Sequence, residues 1–296
     1  MRTVFLGTSE FAVAVLRRLA ESEHRPALVV TRPDRPRGRG RRLSAPPVME
    51  AALELGLEVD QPSSVNDEAA RQRIAQTRPD TVCVCAYGAL IKEPLLSSYP
   101  MLNVHPSLLP RWRGAAPIER AIMAGDEVTG VSIMEVTAGL DSGPVSAQLS
   151  EPIAPRDTYG SLAPRLAALG GDLLVQALSD PSPGAEQDDA LATYAEKITA
   201  EDRRLDPSRD ARELERVVRA LSPHVGTFLE LPDGLRLGVA EAQALPANAG
   251  PAGQLVLTGG DAPTISCGRG QLQLLRVKPP GRNEMSGAEW VRGYLR

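Results

Sequence analysis

The chain reads as an α/β protein in which a Rossmann-like domain with a mostly parallel sheet precedes a smaller, OB-like β-barrel domain. Three observations predict this. Residues 2–6, 10–21 and 26–31 run strand, helix, strand, the opening of a parallel α/β sheet. Residues 81–86, Thr-Val-Cys-Val-Cys-Ala, lack polar alternation and read as a central strand covered on both faces. From residue 227 onward, short β-rich runs alternate with Gly-rich turns, the texture of a small barrel. The expected boundaries are 1–180 for the first domain, 181–205 for a linker and 206–296 for the second.

A length of 296 residues, 42% apolar and 24% charged, suits two such domains in a soluble globular protein. No apolar run approaches the roughly 18 residues needed to span a bilayer. The apolar run at the N-terminus turns polar at Thr8, too early for a secretory signal, so a cytoplasmic location is expected. Cys83, Cys85 and Cys267 give no disulfide framework, and the first two read as buried thiols rather than metal ligands. A net charge of −4 argues against bulk attraction to nucleic acid. Yet Arg32, Arg35, Arg37, Arg39, Arg41 and Arg42 crowd one segment, opposed only by Asp34, which marks a local contact surface.

Taken in order, Thr8 or Ser9 caps the first helix. Only Gly7 stands where a G-x-G-x-x-G fingerprint would lie, so dinucleotide binding is weakly supported. A helix N-terminus there can still hold an anion. In residues 31–47, Pro and Gly prevent a regular element and repelling arginines keep the segment open, as a clamp on a phosphate-bearing ligand. Helices are expected over 48–55 and 67–76, with a short strand over 58–61 between them. A strand over 102–105, a helix over 117–124, a strand over 128–136, a loop over 138–143 and a strand over 144–151 follow. The long helix over 159–178 is weakened by Pro164. Residues 179–190, with Asp-Pro-Ser-Pro-Gly and Glu-Gln-Asp-Asp, read as an exposed linker. A helix over 211–221 precedes strands over 227–231, 235–239, 254–258, 264–267 and 271–277, with turns at 232–234 and 259–261. Ser286-x-x-Glu289 is a capping box for a last helix.

The chemistry-bearing stretch is Leu102-Asn103-Val104-His105-Pro106. Side chains two apart on a strand share a face, so Asn103 and His105 point the same way, and Pro106 ends the strand. A carboxamide N–H can hold a developing oxyanion, and an imidazole can move a proton near neutral pH. An isolated Asn-x-His is usually a structural pair; the long specific run that follows it here changes that. Ser107 has no G-x-S-x-G elbow and reads as a loop or ligand contact, not a nucleophile. Asp141 stands in Ala-Gly-Leu-Asp-Ser-Gly, where flanking glycines let backbone approach a ligand closely. His24 and His224 read as surface or loop histidines.

The run Asn103-x-His105-x-Ser107-Leu108-Leu109-Pro110, followed by Arg113-Gly114 and Pro117, resembles the signature of the folate-dependent formyltransferases. The family expects an Asp in a Gly-rich loop about 35 residues beyond the His, and Asp141 fits. The resemblance implies Asn103 as oxyanion donor and His105 with Asp141 as the acid–base pair. It implies 10-formyltetrahydrofolate as co-substrate, lying between Ser107, Leu108, Leu109 and Pro110 on one side and Ala89, Leu90 and Ile91 on the other, and no metal. The arginine segment resembles the inserted loop of the members that act on charged tRNA, as does Tyr194-Ala195-Glu196-Lys197-Ile198. This implies Arg35, Arg37, Arg39, Arg41 and Arg42 as contacts for methionyl initiator tRNA, with Arg269, Arg276, Lys278 and Arg282 adding backbone contacts from the second domain. A monomer with no membrane partner is expected. Rivals use the same core on a glycinamide ribonucleotide or an amino-sugar nucleotide, hydrolyse the donor, or bind RNA without catalysis. The arginine loop and barrel domain argue against the first pair, and the intact Asn103, His105 and Asp141 against the last.

Overall fold

The computed structural model describes residues 1–37, 42–231, 234–246, 250–257 and 262–294. The chain divides into two compact units: residues 1–114, 128–152 and 163–194 form the first, and residues 115–127, 153–162 and 195–296 the second.

The first unit is built on a seven-stranded sheet. In chain order its elements are β1 (Thr3–Gly7), α1 (Glu10–Ala20), β2 (Pro26–Val30), β3 (Arg35–Arg37), β4 (Arg42–Ser44), α2 (Pro47–Glu54), β5 (Val59–Asp60), α3 (Glu68–Gln76), β6 (Thr81–Cys85), α4 (Leu95–Ser98), β7 (Met101–His105) and β8 (Arg113–Gly114). Past α5 (Pro117–Ala124), which falls in the second unit, come β9 (Val128–Glu135), β10 (Val145–Pro152) and α6 (Tyr159–Ser179). The strand order is β10-β9-β7-β6-β1-β2-β5. Strands β7, β6, β1, β2 and β5 run parallel to one another, and β9 and β10 add an antiparallel edge. β1 and β6 are buried at every position, as apolar runs without alternation require. The chain goes outward from β1 to β2 and β5, then returns to β6 on the other side of β1. Such a reversal opens a crevice beyond the carboxyl ends of the strands, where ligands of α/β sheets bind. The β1 and β6 exits are tied there by Thr8 Oγ1 donating to the Tyr87 carbonyl at 2.8 Å.

Several expectations change. The arginine segment is not without regular structure: β3 and β4 pair antiparallel, Arg35 opposite Ser44 and Arg37 opposite Arg42. Pro36 is tolerated because in a two-stranded pair every second residue turns its N–H outward. Arg39 and Arg41 lie outside the described residues, as do turn residues 232–233 and 259–261 and the strand end Thr258. α6 continues through Pro164. His24 is buried, not superficial, with Nε2 2.9 Å from Ser179 Oγ. Burial pushes the Cys83 thiol up to about 12, and that of Cys85 higher still.

The second unit contains β11 at its border (Tyr194–Ala195), then α7 (Ala211–Leu221), β12 (Thr227–Glu230), β13 (Arg236–Leu245), β14 (Leu255–Val256), β15 (Thr264–Ser266), β16 (Gln271–Lys278), β17 (Met285–Ser286) and α8 (Gly287–Tyr294). Its antiparallel sheet runs β12-β13-β16-β15-β14, with β17 on β16. The apolar face of α7, including Leu214, Val217, Val218 and Leu221, shares one core with Leu237, Leu272, Leu274 and Trp290. The Ser286–Glu289 capping box forms: Ser286 N–H donates to Glu289 at 2.9 Å, and Glu289 N–H to Ser286 Oγ at 3.2 Å. Among the described residues no helix is long and apolar enough to cross a membrane.

Candidate active site

β7 brings Asn103 and His105 to the carboxyl end of the sheet, beside the exit of β6. Hydrogen-bonded register with β9 sets Asn103 opposite Met134 and His105 opposite Ser132. His105 is 4% exposed, and its Nε2 lies 2.9 Å from the Trp112 carbonyl oxygen. A carbonyl only accepts, so Nε2 carries the proton and donates. This directs Nδ1 at Asp141 Oδ2, 3.7 Å away. That separation is beyond hydrogen-bond length, so the two face one another across a gap. Asp141 Oδ2 in turn accepts from Gly114 N–H at 2.8 Å. Among the described residues no hydrogen bond engages the Asn103 carboxamide, which is half-buried two residues from His105. The site thus presents one free amide donor beside an imidazole nitrogen, Nδ1, and a carboxylate oxygen, Oδ2. That set suits a reaction in which a carbonyl oxygen gains charge while a proton leaves a neighbouring nitrogen.

Two residues at the site hold left-handed backbone without being glycine: Trp112, with φ +64°, and Asp141, with φ +46°. Each such residue costs about 1–3 kcal/mol and persists only where its surroundings enforce it. Glycine is required beside Asp141, because a Cβ on Gly143 would lie 2.0 Å from the Glu135 carbonyl oxygen.

Residues 107–110 form a tight loop beyond β7. Ser107 and Leu109 are buried, while Leu108 and Pro110 are partly exposed. Ser107 Oγ donates to the Arg111 carbonyl at 2.6 Å. The loop is held from β9 by Ser132, whose hydroxyl donates to the Ser107 carbonyl at 2.6 Å. It accepts from Leu109 N–H at 3.1 Å and from Gln148 Nε2 at 2.8 Å. Gln148 Nε2 also donates to the Leu109 carbonyl at 2.8 Å. On the other side, Ala89 and Leu90 are exposed, Leu90 at 67%, and Ile91 packs partly into the core. Asn66 fixes that turn, donating to the Leu90 carbonyl and accepting from Lys92 N–H. Among the described residues no cluster of potential metal ligands occurs.

Sequence reasoning missed Ser132, Gln148 and Gln187, and it noted Arg113 only as part of the signature, with no role. Arg113 is 3% exposed, donates from Nε to Gln187 Oε1 at 2.9 Å and sets Nη2 2.8 Å from Asp189 Oδ1. Of the basic segment, Arg35 is exposed on β3, while Arg37 and Arg42 lie in β3 and β4. In the second unit Arg269 pairs with Asp210 and Arg276 with Glu284, so both charges are compensated; Lys278 and Arg282 pair with no carboxylate among the described residues.

An amide, an imidazole and a carboxylate at the carboxyl end of a mostly parallel sheet stand where α/β folds bind their ligands. The chain belongs to the formyl transferase family: residues 1–178 match its formyl transferase model and residues 197–295 its C-terminal domain model. It is 43% identical over 301 residues to the methionyl-tRNA formyltransferase of Methylococcus capsulatus, covering 99% of this chain and 97% of that one. It is 44% identical over 298 residues to the enzyme of the same name from Halorhodospira halophila, covering 99% and 96%. In fold it resembles the N-formyltransferase of Helicobacter canadensis bound to folinic acid and dTDP-3-aminofucose, with TM-score 0.67, 13% identity and coverage of 93% and 99%. It also resembles HypX of Aquifex aeolicus in complex with tetrahydrofolic acid, with TM-score 0.66 and 18% identity. That likeness covers 100% of this chain and 48% of HypX, so this chain spans about half of that protein.

Proposed function

We propose that the protein transfers a formyl group from 10-formyltetrahydrofolate to the α-amino group of methionyl initiator tRNA. The observation that carries the chemistry is the apposition of His105 Nδ1 and Asp141 Oδ2 at 3.7 Å beside the unengaged Asn103 amide. The acceptor is supported by full-length identity above 40% to proteins of that name. The site suits a folate. Exposed Leu90 offers an apolar wall, and the partly exposed Leu108 and Pro110 offer a second with peptide edges for hydrogen bonding.

In this reading Asn103 donates to the formyl oxygen as it gains charge. One such donor is worth about 2.7–4 kcal/mol of barrier. His105 Nδ1, the unprotonated nitrogen, takes the proton from the attacking amine and returns it to the departing folate nitrogen. Its other nitrogen stays fixed on the Trp112 carbonyl throughout. Asp141 stabilises the imidazolium formed between the two steps. Exposed Arg35 contacts the acceptor-end phosphates, and Arg37, Arg39, Arg41 and Arg42 are the further candidates of that segment.

The test is formyl transfer to charged initiator tRNA against charged elongator methionine tRNA. A large preference for the initiator is expected; equal rates would remove the acceptor assignment.

A further inference from the structure

We propose that residues 185–193 are a strap over the catalytic loops rather than a linker, and that Gln187 is a positioning residue setting the Asp141 carboxylate against His105. The inference rests on the catalytic reading of Asp141 above. The two family models end at 178 and begin at 197, so neither covers this stretch. Its sequence is polar and most of its side chains are exposed, yet Gln187 is turned inward.

The strap is attached at three points. Ala185 and Val145 exchange both backbone hydrogen bonds, at 2.8 and 2.9 Å. Thr193 Oγ1 accepts from Trp112 N–H at 2.9 Å, and its carbonyl accepts from Arg113 N–H at 2.9 Å. Trp112 is the residue whose carbonyl orients His105. Between these anchors, Gln187 Nε2 donates to the carbonyls of Asp141, at 2.9 Å, and Gly143, at 2.8 Å, while Oε1 accepts from Arg113 Nε at 2.9 Å.

The result is a closed ring. Arg113 is held by Gln187, the next residue's N–H holds Asp141 Oδ2, and the Asp141 carbonyl returns to Gln187. Asp141 is therefore clamped at both its main chain and its carboxylate. This is what a left-handed, non-glycine backbone at a reacting group requires. Only a carboxamide satisfies all three partners, since it offers two N–H groups to the two carbonyls and an oxygen to the guanidinium. A glutamate keeps the shape and the Arg113 contact but aims a carboxylate oxygen at two carbonyls.

The experiment uses the full chain in single-turnover and steady-state formyl transfer. In Gln187→Glu, kcat is expected to fall about 30- to 100-fold, as for displacement of a catalytic group by about an ångström. KM for folate and tRNA stays within about threefold. The pH dependence of kcat shifts, because the His105–Asp141 geometry changes. In an Asp141→Asn background the same substitution adds less than about threefold, since it acts through the group already removed. Gln187→Met, an isosteric variant without donors, gives the same pattern and covers a failure of the first variant to fold. A folded Gln187 variant with unchanged kcat and pH profile overturns the strap proposal. So does a full multiplicative loss on top of Asp141→Asn. If Asp141→Asn alone leaves transfer intact, the catalytic reading has failed instead.

Discussion

His105 Nδ1 and Asp141 Oδ2 face each other at 3.7 Å, with Nε2 of the same ring already committed to the Trp112 carbonyl at 2.9 Å. The one imidazole nitrogen left for chemistry is thus the one that meets the carboxylate. Asp141→Ala and His105→Ala are each expected to lower kcat about 10²- to 10⁴-fold, the range for a placed acid–base group. Asn103→Ala should lower it about 10²- to 10³-fold with KM for folate little changed, because in the proposed mechanism its donor acts on developing charge. Single-turnover formylation of charged tRNA measures all three. An Asp141→Ala enzyme at full rate would dissolve the mechanism.

Ser132 places one hydroxyl under the 107–110 loop, with Ser107, Leu109 and Gln148 all bonded to it. Ser132→Ala leaves the Leu109 N–H and the Ser107 carbonyl without that partner in a buried site. Each unsatisfied group costs about 1–3 kcal/mol. A thermal melt should shift downward by several degrees, and KM for the folate should rise more than kcat falls, since the loop and not the reacting pair is disturbed. A variant with unchanged folate KM would show that the loop keeps its form without this hydroxyl.

Asp202 supplies a pH signature. Burial raises its carboxyl, but this is outweighed by hydrogen bonds from Arg120 and from the Thr199 N–H and hydroxyl, and the carboxyl falls from 3.8 to about 2. Arg120 engages it with both terminal nitrogens, at 2.7 and 3.1 Å. A carboxyl held below its unfolded value stabilises the fold above that value, and the contribution disappears as the pH falls through the folded value. The protein should therefore lose about 2 kcal/mol between roughly pH 4 and pH 2 from this group. Urea unfolding of Asp202→Asn should show a shallower acid slope over that window and lower stability at pH 7. Parallel curves for the two proteins would show that the network does not titrate as described.

Legibility followed the range of the interactions. That Asn103 and His105 share a strand face follows from their spacing, but they and Asp141 are singled out as candidates by the resemblance that the run from Asn103 to Pro117 carries. The parallel core was readable because β1 and β6 are uninterrupted apolar runs. Ser132 and Gln187 act through hydrogen bonds to partners 16 to 74 positions away, and no local pattern encodes such a partner. The signal available for Ser132 was a small polar residue between Val131 and Ile133 in a mostly apolar strand, a signal shared with Thr129. The β3–β4 hairpin escaped because Pro36 argues against a ladder, though an outward-turned N–H loses nothing there. His24 gave no sign of burial, because its partner Ser179 lies at the far end of α6.

Gly143 tests how tightly the Asp141 loop is fastened. A methyl group there would sit 2.0 Å from the Glu135 carbonyl and 2.9 Å from Thr137 Cγ2. The first of these is backbone at the end of β9, so relief requires moving either the strand end or the loop. The strand end is fixed by backbone pairing of Glu135 opposite Leu102 of β7, whereas the loop is fastened by the Gln187 side chain on the Asp141 and Gly143 carbonyls, which can turn away. Gly143→Ala should therefore displace Asp141 more than it unfolds the sheet. Activity is expected to fall about 10²-fold, the scale for misplacing a catalytic group by an ångström. Stability should drop by about 1–3 kcal/mol, the usual range for overpacking. Kinetics and thermal melting on the same preparation separate the two effects. An active Gly143→Ala enzyme of ordinary stability would mean that this turn has room the structure does not show.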